Sequence, residues 1–290
     1  VEPARHFYLP EMTHEEILAS VNNSVLLIPV ACMEQHGPHL PIHTDMDNVH
    51  EITMGVARKL NPALRALVSP PMWFSPGGAF PLAQYPGTMK CRKETFKELL
   101  SDFLESYLRH GFKRILIING HGGGTQLWIP EVVRYLRRDL PKLGYKDDWK
   151  VPADARVTVF SWIALLGEFA RPELEAIRKS PLGSDWHGGD VETSLQLYLR
   201  PHLVHMDKAR KGTTRVPSKF GTCDINDWHR EYIIPNFPAK SIEGEQPCVW
   251  GDPTLATPEL GKAVYDLAVS KIAEFVQEFV QLSDELDRTP

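Results

Sequence analysis

One apolar segment constrains this chain more than any other. Val25-Leu26-Leu27-Ile28-Pro29-Val30-Ala31 precedes a polar cluster, Glu34-Gln35-His36-Gly37-Pro38-His39-Leu40-Pro41-Ile42-His43-Thr44-Asp45-Met46-Asp47. Seven apolar residues in a row leave no face for water, so the segment reads as a strand buried on both sides. A second run, Arg114-Ile115-Leu116-Ile117-Ile118, enters the turn Asn119-Gly120-His121-Gly122-Gly123-Gly124 in the same way. Both clusters follow strands, and in open parallel sheets ligands bind outside the carboxyl ends of the strands.

Helical patterns separate these runs. Thr13-His14-Glu15-Glu16 is a capping box that opens a short helix through about Ser20. Val49, Ile52, Val56 and Leu60 share one face of a helix from Asn48 to Leu60, and a strand is expected near Leu67-Val68. The Pro- and Gly-rich stretch 70–87 reads as a long loop. A helix follows from Lys93 to His110, with Phe96, Leu99, Leu100, Phe103 and Leu104 on its apolar face and Gly111 at its end. Beyond the His121 turn come a helix to about Leu140, a strand at Val157–Phe160, a helix from Gly188 to Leu199 and a long amphipathic helix from Pro258 to Asp287. Strands alternating with helices predict an α/β fold with a mostly parallel sheet covered on both faces. Residues 1–290 read as one domain, with an irregular, Pro-rich excursion at about 200–257.

Composition narrows the partners. The 290 residues carry a formal net charge of −5 and no basic block, a poor match to nucleic acid. No apolar run reaches the ~18 residues of a membrane span. Val1-Glu2-Pro3-Ala4-Arg5-His6 lacks a signal-peptide apolar core, so the expected location is cytoplasmic. Cys32, Cys91, Cys223 and Cys248 are widely spaced and read as reduced thiols.

The first cluster brings Glu, His and Asp together with no thiolate among them. Such oxygen and nitrogen donors suit Zn, Mn, Fe or Ni with open coordination positions better than a closed, thiolate-rich zinc site. His121 admits three readings: a functional ligand, an incidental residue of a strand-to-helix turn, or part of a phosphate cradle. The last lacks both G-x-G-x-x-G and a P-loop Lys-Ser/Thr pair. Ser184-Asp185-Trp186-His187-Gly188-Gly189-Asp190-Val191-Glu192-Thr193-Ser194 reads as a loop entering a helix. A purely structural reading has Asp190 cap that helix and Glu192 complement its dipole.

Together the three stretches spell E-Q-H-G-x-H-L-P-x-x-T-D, N-G-H-G-G and H-G-G-x-x-E-T-S, which resemble the signature of the creatininase family of metal hydrolases. Tyr85-Pro86-Gly87-Thr88 resembles the family's F-P-G-T segment, and Gly251-Asp252-Pro253 with Ala256-Thr257 and Gly261 resembles its late G-D-P-x-x-A-T segment. The resemblance spans about Glu11 to Phe275. It implies a three-layer α/β/α sandwich with two divalent metal ions at the carboxyl ends of the strands. Carried over position by position, Glu34, Asp45 and His121 hold one ion. His36, Asp45 and a further carboxylate hold the other, with Asp45 bridging. In creatininase that carboxylate comes two residues after the turn histidine, where this chain has Gly123. The E-T-S segment implies Glu192 instead, with Asp190 and Asp47 as alternatives. His187 matches a family histidine assigned to proton transfer, and an ordinary pKa of about 6.5 suits that role. A packing role for His187 is the alternative, and His39 and His43 are expected in the pocket rather than on a metal.

The implied chemistry is attack by a metal-activated water on a carbonyl carbon. Members of the family open the ring of creatinine, deformylate formamides, trim a peptide during redox-cofactor maturation, or cleave an oxidised inositol, 3-dehydro-scyllo-inosose. Four departures from the creatininase pattern fall around the pocket rather than the metal core. They are Gly123, Gly124 where Asn is common, Trp186 in place of a carboxylate before His187, and Pro81-Leu82 in place of Glu-His before the Y-P-G-T segment. They point away from creatinine, and elimination among the family's substrates leaves ring opening of an oxidised inositol as the expectation, with a cyclic amide or a formamide as alternatives. Trp186, Tyr85, Gln84, Trp162 and Gln126 are the expected substrate contacts, with Trp73, Phe74 and Phe80 as further pocket candidates. A non-catalytic metal-binding assembly protein is the competing class, and the intact set of acids and histidines argues against it. Family members are commonly homo-oligomers, often hexamers built from dimers, and the excursion with Trp228 and Trp250 is expected to supply contacts or a lid.

Overall fold

A computed structural model describes residues 6–61, 63–77, 84–123, 125–140, 142–181, 184–215, 241–242 and 244–288. Phe80, Pro81, Leu82, Gly124, Cys223 and Trp228 lie outside the described residues.

Helix α1 (His14–Leu18) carries both halves of the expected capping box: Glu16 N donates to Thr13 Oγ1 at 3.3 Å, and Thr13 N donates to Glu16 Oε2 at 2.7 Å. Strand β1 (Ser24–Val30) is buried at every position, as an unbroken apolar run requires. Next come α2 (Thr44–Leu60), β2 (Arg65–Val68), α3 (Lys93–Arg109), β3 (Arg114–Asn119), α4 (Thr125–Arg134), α5 (Leu136–Asp139) and β4 (Arg156–Ser161). The four strands form a parallel sheet in the order β2-β1-β3-β4.

That order positions the site. From β1 the chain steps outward to β2, then returns across β1 to β3. Because parallel crossovers are right-handed, the reversal puts α2 and α3 on opposite faces of the sheet. Helix α2 packs with two later helices, α8 (Asp190–Leu199) and the C-terminal α9 (Pro258–Arg288), while α3 packs with α4. The result is a three-layer α/β/α sandwich. Between the carboxyl ends of β1 and β3 lies the switch point where α2 and α4 diverge, leaving the crevice that such sheets use for ligands. Leu26, Leu27, Ile28, Ile115, Leu116, Ile117 and Ile118 pack the sheet against Val49, Ile52 and Val56 of α2 and Phe96, Leu100 and Leu104 of α3. Each fully buried side chain of this kind contributes about 1.5–3 kcal/mol.

Several boundaries differ from the sequence reading. Helix α2 starts at Thr44 rather than Asn48, so Asp45 and Asp47 lie in its first turn. Acidic residues there complement the helix dipole. On α3 the buried stripe runs Phe96, Leu100, Leu104, Leu108, whereas Leu99 is exposed and Phe103 only half-buried. The helix expected to reach Leu140 breaks at Tyr135, which leaves helical geometry at φ −103°, ψ 13° before α5 begins. Two helices after β4, α6 (Trp162–Phe169) and α7 (Arg171–Ile177), were not expected. The excursion at about 200–257 is not wholly irregular either: it contains β5 (Gly212–Arg215), β6 (Ser241–Ile242) and β7 (Gln246–Trp250), a small sheet in the order β6-β5-β7. Among the described residues, no helix is long and apolar enough to cross a membrane.

Candidate metal centre

Residues 31–43, between β1 and α2, fold over the crevice, closed by Glu34 N donating to Ile42 O at 2.9 Å. Gly37 turns this segment at φ +78°, and a Cβ there would stand 2.6 Å from Val249 Cγ2. At the end of β3, Gly120 N donates to Val30 O at 2.8 Å, tying the two switch-point strands together. A Cβ on Gly120 would lie 2.5 Å from Val49 Cβ, so this glycine lets α2, and with it Asp45, approach His121. On the third side, the loop before α8 turns at Gly188 (φ +65°), where a Cβ would meet His36 O at 3.0 Å.

These three approaches bring together two buried groups of donors, Cys32, Glu34, Asp45 and His121 in one and His36, His187 and Glu192 in the other. Asp45 stands between the two. Its Oδ1 lies 3.0 Å from His36 Nε2, and its Oδ2 lies 2.8 Å from His121 Nδ1. Glu34 Oε2 is 3.5 Å from His121 Nδ1, and Glu192 Oε2 is 3.7 Å from His36 Nε2. His36 Nδ1 donates to the Glu34 carbonyl oxygen at 3.0 Å, which aims Nε2 at the carboxylates. A bare imidazole lone pair facing two carboxylates in a buried pocket is repulsive, so the geometry calls for a cation at that point. Burial disfavours the His36 imidazolium, but Asp45 and Glu192 outweigh it and hold its pKa well above the ordinary value. His121 is raised against its own burial by Glu34 and Asp45. Burial also opposes the Asp45 carboxylate, yet His36 and His121 hold its pKa well below the usual range. A set of buried carboxylate and imidazole donors around two points fits divalent metal ions.

Of the three carboxylates considered for the second point, only Glu192 faces it; its Oε2 also accepts from Gly188 N at 2.6 Å. Asp190 turns away to accept from Ser180 N at 3.1 Å. Asp47 pairs with Arg200 Nη2 at 3.2 Å and accepts from Gln196 Nε2 at 3.3 Å. At position 123 a Cβ would stand 2.8 Å from His121 Nε2, so a longer side chain there requires the imidazole to move.

The His187 ring stacks on His36 with centroids 4.1 Å apart. Its Nε2 lies 2.7 Å from the Gln35 carbonyl oxygen, which can only accept, so the proton sits on that nitrogen and Nδ1 carries the lone pair; Gln35 Nε2 lies 3.3 Å from the same Nε2. Burial and the neighbouring His36 push its pKa down to about 3, not the 6.5 of a free imidazole. His39 is also buried, with Nε2 3.0 Å from Thr193 Oγ1, and burial followed by His36 lowers its pKa to about 4. His43 is the half-buried residue preceding α2.

The expected substrate contacts divide. Trp186 is half-buried and packs edge-on against Trp250 at 5.6 Å, and Trp250 lies 6.0 Å from His187, making an aromatic wall beside that imidazole. Half-buried Tyr85 and exposed Gln84 belong to a segment stitched to the first cluster, where Gln35 N donates to Thr88 Oγ1 at 3.0 Å and Met89 N to Met33 O at 2.9 Å. Gln126 is half-buried in the first turn of α4. Trp73 and Phe74 are exposed. Trp162 is a core residue instead, 1% exposed among the apolar side chains under α6.

One residue at the centre escaped the sequence reading. Cys32 Sγ lies 3.4 Å from Asp45 Oδ2 and 3.9 Å from Glu34 Oε2. The available signal was its spacing: continuing the alternation of β1 past Val30 puts residues 32 and 34 on the same side.

Buried acid and imidazole groups at the switch point of a three-layer α/β/α sandwich form the kind of donor set that metal-dependent hydrolases use. The chain belongs to the creatininase family, whose model, described as creatinine amidohydrolase, matches residues 10–276. It is 26% identical over 285 residues to the creatinine amidohydrolase of Pseudomonas putida, covering 95% of this chain and 98% of that one. It is 25% identical over 260 residues to the mycofactocin precursor peptide peptidase of Mycobacterium ulcerans, covering 86% of this chain and 85% of that protein. To the 3-dehydro-scyllo-inosose hydrolase of Thermotoga maritima it is 26% identical over 206 residues, 70% of this chain and 59% of that one. A crystal structure of creatininase superposes with a TM-score of 0.72 at 25% identity, over 94% of this chain and 98% of that one.

Proposed function

We propose that this protein opens the ring of a small cyclic carbonyl compound by hydrolysis at a two-metal site, and that its substrate is an oxidised inositol of the 3-dehydro-scyllo-inosose type. In this reading Glu34, Asp45 and His121 hold one ion, and His36, Asp45 and Glu192 hold the other. The observation that carries it is the placement of Asp45, one oxygen facing His36 and the other His121. A bound pair of dications supplies two things: a water acidified toward neutrality and polarisation of the substrate carbonyl.

The chain's own groups do the rest. His187, neutral and with Nε2–H committed to the Gln35 carbonyl, offers Nδ1 to take the proton of the attacking water and return it to the departing carbon. The Trp186–Trp250 wall excludes water from that side and offers an aromatic face to the substrate ring. The inositol assignment is supported by the likeness to the inosose hydrolase and by Gly123 and Trp186, where the creatininase pattern has carboxylates. Cyclic-amide hydrolysis is the second reading, favoured by an alignment that runs over nearly the whole of the creatinine amidohydrolase. Exposed Trp73, Phe74 and Met89 are apolar surface of the kind that subunit contacts cover, in keeping with a homo-oligomer.

The test is turnover by metal-loaded protein on 3-dehydro-scyllo-inosose, creatinine and a small formamide, together with metal analysis. Ring opening of the inosose with two metal equivalents per chain is the expected result. Robust creatinine hydrolysis with an inert inosose overturns the substrate assignment. A protein that takes up no metal overturns the two-metal reading.

A further inference from the structure

The Cys32 thiol is fully buried and faces two carboxylates. Its Sγ is 3.4 Å from Asp45 Oδ2 and 3.9 Å from Glu34 Oε2, and those oxygens are 2.8 Å and 3.5 Å from His121 Nδ1. Around a tetrahedral zinc ion, with bonds of about 2.0–2.2 Å to nitrogen or oxygen and about 2.3 Å to sulfur, neighbouring donors stand roughly 3.4–3.6 Å apart. Two of the four separations, 3.4 and 3.5 Å, match that spacing, and the other two, 2.8 and 3.9 Å, fall on either side of it. One donor atom from each of Cys32, Glu34, Asp45 and His121 lies within 4.8 Å of every other.

The thiol is also held in place. Ala31 N donates to Met72 O at 3.2 Å, fixing the backbone just before Cys32. Gly77 packs against the other side so closely that a Cβ there would stand 2.8 Å from both Cys32 Cβ and Sγ. Cys91 and Cys248, the other cysteines among the described residues, are free, so no disulfide among these competes for the sulfur.

We propose that Cys32 is a thiolate donor to the ion held by Glu34, Asp45 and His121. The inference rests on the two-metal reading above and adds to it that the two sites differ in kind. The first becomes a sulfur-bearing site that favours zinc or cobalt over manganese, because thiolate is a soft ligand. The second, formed by His36, Asp45 and Glu192, has only nitrogen and oxygen donors and accepts manganese as well. As the sulfur–metal bond forms, the S–H bond breaks and its proton leaves to solvent.

Cobalt(II) reports the ligand set directly. Metal-stripped protein reloaded with cobalt is expected to bind two equivalents and to show a near-ultraviolet sulfur-to-cobalt charge-transfer band beside its visible d–d bands. The Cys32→Ser variant is expected to keep the d–d bands, lose the charge-transfer band, and lose its preference for zinc over manganese at one of the two sites by more than about 10-fold. Two cobalt equivalents without the band in the unaltered protein overturn the inference and leave the two-metal reading standing. Failure to bind cobalt at all overturns both, and a band that persists in Cys32→Ser assigns the sulfur elsewhere and overturns the inference. Should Cys32→Ser not fold, X-ray absorption on the zinc-loaded unaltered protein decides the matter. A sulfur neighbour at about 2.3 Å supports the proposal, and a shell of nitrogen and oxygen alone refutes it.

Discussion

His187 and Trp250 are joined by a reciprocal pair of backbone hydrogen bonds, His187 N to Trp250 O at 2.9 Å and Trp250 N to His187 O at 2.8 Å. The imidazole assigned to proton transfer is therefore held by the last residue of β7, in a separate small sheet. The next residue, Gly251, adopts φ +140°, and a Cβ there would stand 2.6 Å from Asp185 Oδ1. Gly251→Ala is expected to displace His187 and lower kcat by about 10-fold or more while two metal equivalents remain bound. Metal analysis beside steady-state kinetics checks this, and an unchanged kcat would remove the small sheet from the positioning of His187.

Replacing the imidazole itself should be more severe. His187→Ala is expected to reduce turnover by about 10²–10⁴-fold without loss of metal. Full activity in that variant would exclude His187 from the reaction.

Asp45 and Glu192 should separate in metal content. Asp45 faces both donor groups, so Asp45→Asn is expected to weaken both ions; Glu192 faces one, so Glu192→Gln is expected to weaken one. Equilibrium dialysis followed by elemental analysis reads the stoichiometry. Loss of both ions from Glu192→Gln, or of one from Asp45→Asn, contradicts the bridging assignment.

Metal uptake should also depend on pH. The carboxylates raise the pKa of His36 and of His121, so protons compete with metal for these nitrogens beyond the ordinary imidazole range. Since the protonated imidazole cannot ligate, affinity falls as pH drops and continues to rise above about pH 6.5. Chelator competition across a pH series measures this. An affinity independent of pH above neutrality would show that neither histidine releases a proton on binding.

Trp162 distinguishes packing from recognition. Buried in the core at the start of α6, it should cost about 3–5 kcal/mol of stability when replaced by Ala. Denaturant unfolding reads that loss, and KM should stay the same. A changed KM at unchanged stability would return Trp162 to the pocket.

The fold was legible where local pattern and burial agree. The unbroken apolar runs of β1 and β3 and the long periodic stretches of α3 and α9 were readable because period and capping are properties of neighbouring residues. Helix α6 was not, because Trp162-Ile163-Ala164-Leu165-Leu166 is apolar on nearly every side and carries little helical period. The strands of the small sheet are too short to show alternation, and β7 contains a proline.

Residue types and spacing by themselves marked three stretches as candidates, Glu34, His36 and Asp45 after one strand, His121 after another, and His187 to Glu192 at a helix start, and the family resemblance, not the spacing, preferred Glu192 to Asp190 and Asp47. Only the tertiary structure decided which of these side chains face one another, because those contacts join segments distant in sequence. It sets Asp45 between His36 and His121, turns Glu192 toward His36 while Asp47 and Asp190 find other partners, and buries Trp162. It also brings Cys32 beside His121, a neighbour far away in sequence and near only once two parallel strands pair.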